Sequence, residues 1–171
     1  MNELITGLLQ ESISGIALGS IYALIALGFT LIYKASEVVN FAQGEVMMVG
    51  AYVNFFFVSY FSSMVGEVNG WVFLLAFLGS IIFAVIFGIT LDFIINRPLK
   101  DEPVFSIIMA TISLAIILRA LTALIAGPIS LVPQSPFGGS VMEVGGVVVS
   151  YLDLSIILSA VVLMGLFFVF F

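Results

Sequence analysis

Residues 154–171 read LSIILSAVVLMGLFFVFF, eighteen positions with no charge and no proline. As a helix rising 1.5 Å per residue this run is about 27 Å long, just enough to cross a hydrocarbon core of about 30 Å. Runs of the same kind recur upstream at residues 13–33, 46–65, 71–95 and 104–125. The second is diluted by Asn54, Ser59, Ser62 and Ser63, and the fourth carries Arg119. Each run is near-continuous, unlike the alternating ten-residue segments of an outer-membrane barrel. An open strand would leave backbone groups unpaired in lipid, so helices are the expected form. The sequence therefore predicts an all-α fold: a polytopic integral membrane helix bundle of about five transmembrane helices.

Composition excludes several alternatives. Hydrophobic residues are 63% of the chain, charged residues 8%, and the mean hydropathy is +1.35. A soluble domain carries about 25% charge. The net charge of −6 lacks the basic patch that a nucleic-acid partner requires. The chain has no cysteine and no histidine. That removes thiolate chemistry, the usual general base and the commonest metal ligand. No catalytic constellation, metal site or cofactor is expected. Residues 1–171 read as one transmembrane domain. The start, Met1-Asn2-Glu3, has no basic region of a signal peptide, so the first apolar run is expected to stay as a membrane helix.

The positive charges give an orientation. Lys34 follows the first span, and Arg97 and Lys100 follow the third, whereas residues 1–12, 62–70 and 127–150 hold no Lys or Arg. Cytoplasmic loops attract Lys and Arg. The N-terminus is therefore expected outside, and the ends of spans one, three and five inside.

Small residues recur on single helix faces. The first span has Gly15, Gly19, Ala23, Ala26 and Thr30 in steps of four and three; the third has Ala76, Ser80, Ala84 and Gly88 in steps of four. Such stripes let membrane helices approach closely. Packing within the chain and packing against another subunit both fit.

Two connections stand out. In residues 127–150, two β-prone runs flank Gly145-Gly146. They predict a short extracytoplasmic β-hairpin pairing 141–144 with 147–150, because a tight two-residue turn needs the positive φ that glycine adopts without strain. The polar segment 34–45, KASEVVNFAQGE, lies on the cytoplasmic side or dips into the membrane from it. Asn40 could cap the next helix, and Gln43 and Glu45 could sit in its first turn, where a negative charge suits the helix dipole. Capping explains Asn40 and Glu45. A role in a pathway or gate would also explain why an apolar protein keeps Asn40, Gln43 and Glu45 together. Arg119 has the same duality. An intramembrane arginine is by default functional, yet a long side chain could lean toward the end of its helix.

Two stretches resemble a known family: Gly19-Ser20-Ile21-Tyr22-Ala23-Leu24-Ile25-Ala26-Leu27-Gly28 and Asn40-Phe41-Ala42-Gln43-Gly44-Glu45, the latter followed by Gly50-Ala51-Tyr52. They are similar to the LivH-type permeases of branched-chain amino-acid ABC transporters. Arg97-Pro98-Leu99-Lys100, Thr111-Ile112-Ser113-Leu114 and the Gly-Gly hairpin extend the resemblance over essentially the whole chain. Gln43 stands where many members have His, and Arg119 where a Gln is expected. The resemblance implies a permease subunit of the cell (inner) membrane, paired with a second permease subunit. It also implies two cytoplasmic ATP-binding subunits and a periplasmic or extracellular solute-binding protein, with a small amino acid as substrate and lipid around the helices. Carriage of urea, amides or other amino acids, and a non-transporting truncated remnant or assembly partner, are the alternatives. Family members are longer, so the chain is expected to be incomplete at its C-terminal end. There is no P-loop, so ATP hydrolysis is expected on separate subunits.

Overall fold

The computed structural model describes residues 2–36, 39–66, 69–99, 102–127, 131, 139–144 and 147–170. Five helices are long and apolar enough to cross a membrane. They are α1 (Asn2–Ser36), α2 (Gln43–Val65), α3 (Gly70–Leu91), α4 (Val104–Ala126) and α5 (Tyr151–Phe170). The strands β1 (Val141–Val144) and β2 (Val147–Ser150) lie between α4 and α5. By its contacts the chain forms two compact units, one of Met1–Lys34 with Phe137–Phe171 and one of Ala35–Pro136.

In the first unit, α1 starts well before the apolar run that announced it. Its 35 residues come to about 52 Å, longer than the membrane core. The polar triplet Gln10-Glu11-Ser12 lowers hydropathy but contains no helix breaker. Ser12 Oγ even donates to the Leu8 carbonyl at 2.7 Å, so the helix runs through. The hairpin has the predicted register, with Val141 opposite Ser150, Met142 opposite Val149, Glu143 opposite Val148 and Val144 opposite Val147. Its Gly145-Gly146 turn lies outside the described residues. Ser150 links strand to helix, since its Oγ accepts from the Leu152 N–H at 3.2 Å. The first turn of α5 meets α1 through Ser14 Oγ, which donates to Asp153 at 3.2 Å.

The second unit is built around α2, which packs against both α3 and α4. The connection from α2 to α3 has defined caps. Gly66 closes α2 at φ 86° and donates its N–H to Ser62 O, a left-handed position where a side chain would be strained. Asn69 opens α3 by accepting from the Val72 N–H at 3.0 Å. The two helices approach where the Phe57 ring lies against Gly79; a Cβ there would meet the ring at 3.5 Å. Val72, Ala76 and Ser80 are buried on α3, and Ile107, Thr111 and Leu118 on α4. Of the other small residues in the two stripes, Gly15, Gly19, Ala84 and Gly88 are not buried among the helices of this chain, and Ala23 is half-buried.

The end of the third span departs from the expected helix. Residues Asp92–Asn96 form a π turn in which the Arg97 N–H donates to Asp92 O at 2.9 Å. Proline at 98 has no N–H and its ring crowds the carbonyl four residues back, and the widened turn precedes it directly. The five-residue spacing brings Arg97 Nε within 3.3 Å of Asp92 and the guanidinium over the Phe93 ring at 5.4 Å.

Candidate functional site

The polar segment before α2 folds locally as a turn. Asn40 Oδ1 accepts from the Ala42 N–H at 2.9 Å, and the Gln43 N–H reaches Asn40 O at 3.4 Å. This is an Asx turn, in which a short amide side chain mimics a backbone turn. The N-cap itself is Ala42, with no side-chain cap. Asn40 thus shapes the approach to α2 from outside it. Ala42 and Gln43 are buried, Asn40 and Glu45 half-buried.

Glu45, in the first turn of α2, meets Arg119 of α4: Nη2 donates to Oε1 at 2.5 Å across 74 residues of sequence. The environments differ. The Glu45 side chain is 13% exposed and that of Arg119 74%. Side chains on a helix lean toward its N-terminus. Such a lean would carry the Arg119 side chain away from the Ile125 end of α4. This one bond uses one of five guanidinium donors. Among the described residues, Glu45 Oε2 makes no hydrogen bond.

Beside the pair is a cleft of about 390 Å³ lined by Phe41, Glu45, Ile112, Ala115, Ile116 and Arg119. Clefts for small molecules begin at about 300 Å³. Its position along α4 is informative. From Val104, Ile112 is about 12 Å along the helix and Arg119 about 22 Å. The cleft lies nearer the middle of α4 than its start. The first turn of α2 is therefore level with the interior of α4, not with its start. The cleft combines one anionic and one cationic group with an aliphatic and aromatic wall. That chemistry suits a small molecule having both an apolar part and dipolar or charged ends.

Of the residues picked from the sequence, Glu45 and Arg119 line the cleft, with Asn40 and Gln43 just beyond Phe41. Phe41, Ile112, Ala115 and Ile116 were not picked out individually as site residues. In an apolar chain nothing marks a cleft-lining Ile against a lipid-facing one. The motif Asn40-Phe41-Ala42-Gln43-Gly44-Glu45 did carry Phe41.

Five helices long and apolar enough to cross a membrane, two of them joined by an ion pair, describe a polytopic membrane protein. The family model described as branched-chain amino acid transport system / permease component matches residues 12–171, and the chain belongs to that family. Among characterised relatives it is similar to the high-affinity branched-chain amino acid transport system permease protein LivH of Escherichia coli (strain K12). Identity is 34% over 140 residues, covering 81% of this chain and 45% of that protein. LivH of Salmonella typhimurium gives the same figures. BraD of Pseudomonas aeruginosa, named as a permease of the same kind of system, is 33% identical over 165 residues, 92% of this chain and 53% of BraD. The chain spans about half the length of the curated relatives it matches. No solved structure matches it significantly.

Proposed function

We propose that this chain forms part of the translocation path of an ABC importer for branched-chain amino acids. Residues 1–171 make one transmembrane domain that pairs with a second permease subunit. Two cytoplasmic ATP-binding subunits drive it, and a solute-binding protein delivers the amino acid from outside. The membrane is the inner membrane of a prokaryotic cell, with the N-terminus outside, as the Lys34, Arg97 and Lys100 asymmetry favours. The exposed small residues Gly15 and Gly19 of α1 and Ala84 and Gly88 of α3 serve contacts with further helices.

The observation that carries this reading is the Glu45–Arg119 pair beside a cleft midway along α4. Opposite charges on membrane-length helices are expensive and mark substrate pathways. Transporter sites near the bilayer midplane often lie where a helix begins within the membrane, and α2 begins level with the cleft. Asn40 and Gln43 brace that entry. The test is uptake of labelled leucine by cells carrying the complete transporter, normalised to membrane expression. Glu45→Gln should reduce uptake severely while the protein still assembles. Unchanged uptake would remove the pair from the pathway.

A further inference from the structure

We infer that the cleft holds its amino acid as a zwitterion, with each pole assigned: Arg119 binds the α-carboxylate, Glu45 binds the α-ammonium, and Ile112, Ile116 and Phe41 take the branched side chain. This rests on the transport reading above and adds to it which residue recognises which group.

The argument starts from what the ion pair leaves unused. Arg119 spends one donor on Glu45 Oε1, and Nη1, Nε and the second Nη2 hydrogen make no hydrogen bond among the described residues. A guanidinium is a planar fork matched to a carboxylate, which it binds with two parallel bonds. Glu45 Oε2 is likewise available, on a side chain only 13% exposed. An ammonium there would be desolvated on arrival and needs a paired charge. Both residues line the same cleft. A zwitterion therefore docks alongside the pair without breaking it, its two charges running opposite to those of the protein.

Charge balance selects the same ligand. The pair is neutral overall, and a zwitterion keeps the site neutral. A ligand with one charge would bring an unbalanced charge to the middle of a membrane-length helix, which is costly. A neutral amide would offer the open positions of the pair no charge. Among the described residues the remaining wall consists of Phe41, Ile112, Ala115 and Ile116, with no further polar side chain. It accepts an aliphatic side chain and would leave a polar one unsatisfied.

The sequence has no cysteine, so a single Ala115→Cys on the full chain reports occupancy through its alkylation rate by a small thiol reagent in native membranes. The probes are leucine, 4-methylpentanoate, which lacks the ammonium, 3-methylbutylamine, which lacks the carboxylate, and urea. Leucine should slow alkylation, and each singly charged analogue should do so with an affinity lower by about tenfold or more, the worth of one charge-assisted hydrogen bond. The decisive arms change the preference. With Glu45→Gln added, 4-methylpentanoate should gain protection relative to leucine. With Arg119→Met, 3-methylbutylamine should gain it. A variant that had merely misfolded would gain neither. Equal protection by leucine in all three backgrounds, or loss of leucine protection without either gain, would overturn the assignment. Protection by urea and not by leucine would overturn the transport reading together with it. Leucine uptake by the complete transporter without protection of the thiol introduced by Ala115→Cys would overturn this inference alone.

Discussion

The asymmetry of the ion pair makes a quantitative prediction. Arg119→Met leaves Glu45, 13% exposed, without its partner; Glu45→Gln leaves Arg119, 74% exposed, without its own. Removing one member of a fully buried pair costs about 3–5 kcal/mol, whereas exposed pairs are worth about 0–1 kcal/mol. A pair with one side buried falls between, so Arg119→Met should cost about 2 kcal/mol. Glu45→Gln should cost less, about 1 kcal/mol or below, because the arginine can turn to other acceptors and glutamine still offers one. The double change should recover much of the larger loss, since no charge is then stranded. The assay is equilibrium unfolding of the full chain from mixed micelles by added SDS, followed by circular dichroism and analysed as a double-mutant cycle. Equal costs for the two single changes, or strict additivity in the double, would show that Glu45 and Arg119 do not interact in the membrane. The cleft would then lose its two poles.

Three further outcomes follow from the structure. Cysteines introduced at Ser63 and Ser140 should react with an impermeant thiol reagent from outside and one at Ser36 should not; labelling of position 36 from outside would invert the orientation drawn from Lys34, Arg97 and Lys100. Glu143 and Val148 are direct cross-strand partners, so Glu143→Cys with Val148→Cys should form a disulfide on mild oxidation, whereas Glu143→Cys with Val149→Cys, on opposite faces, should not; the reverse result would mean a register slip. Asn40→Ala removes the acceptor for the Ala42 N–H and should cost about 1 kcal/mol in the same unfolding assay, while Asn40→Asp keeps the turn and most of the stability; an equal loss for both would show that the turn is not what Asn40 supplies.

What was legible in the sequence was local. Five spans followed from apolar runs because partition into lipid depends on composition over about twenty residues, and the structure has its five long apolar helices over the same runs. The hairpin followed from Gly145-Gly146 between Val-rich runs, and its register is as expected. Helix ends were less legible. Hydropathy reports the preference for lipid, not helicity, so residues 2–12 of α1 were missed, and the π turn at Asp92–Asn96 has no hydropathy signature. Glu45 and Arg119 could each be singled out alone, Arg119 as a charge in an apolar run and Glu45 as the end of the polar segment 34–45. That they face each other could not be read, since 74 residues separate them and their meeting depends on how α2 and α4 pack and at what depth α2 begins. Tertiary structure alone decided that pairing, because an ion pair between helices is set by the register of two packed surfaces, which neither helix encodes by itself.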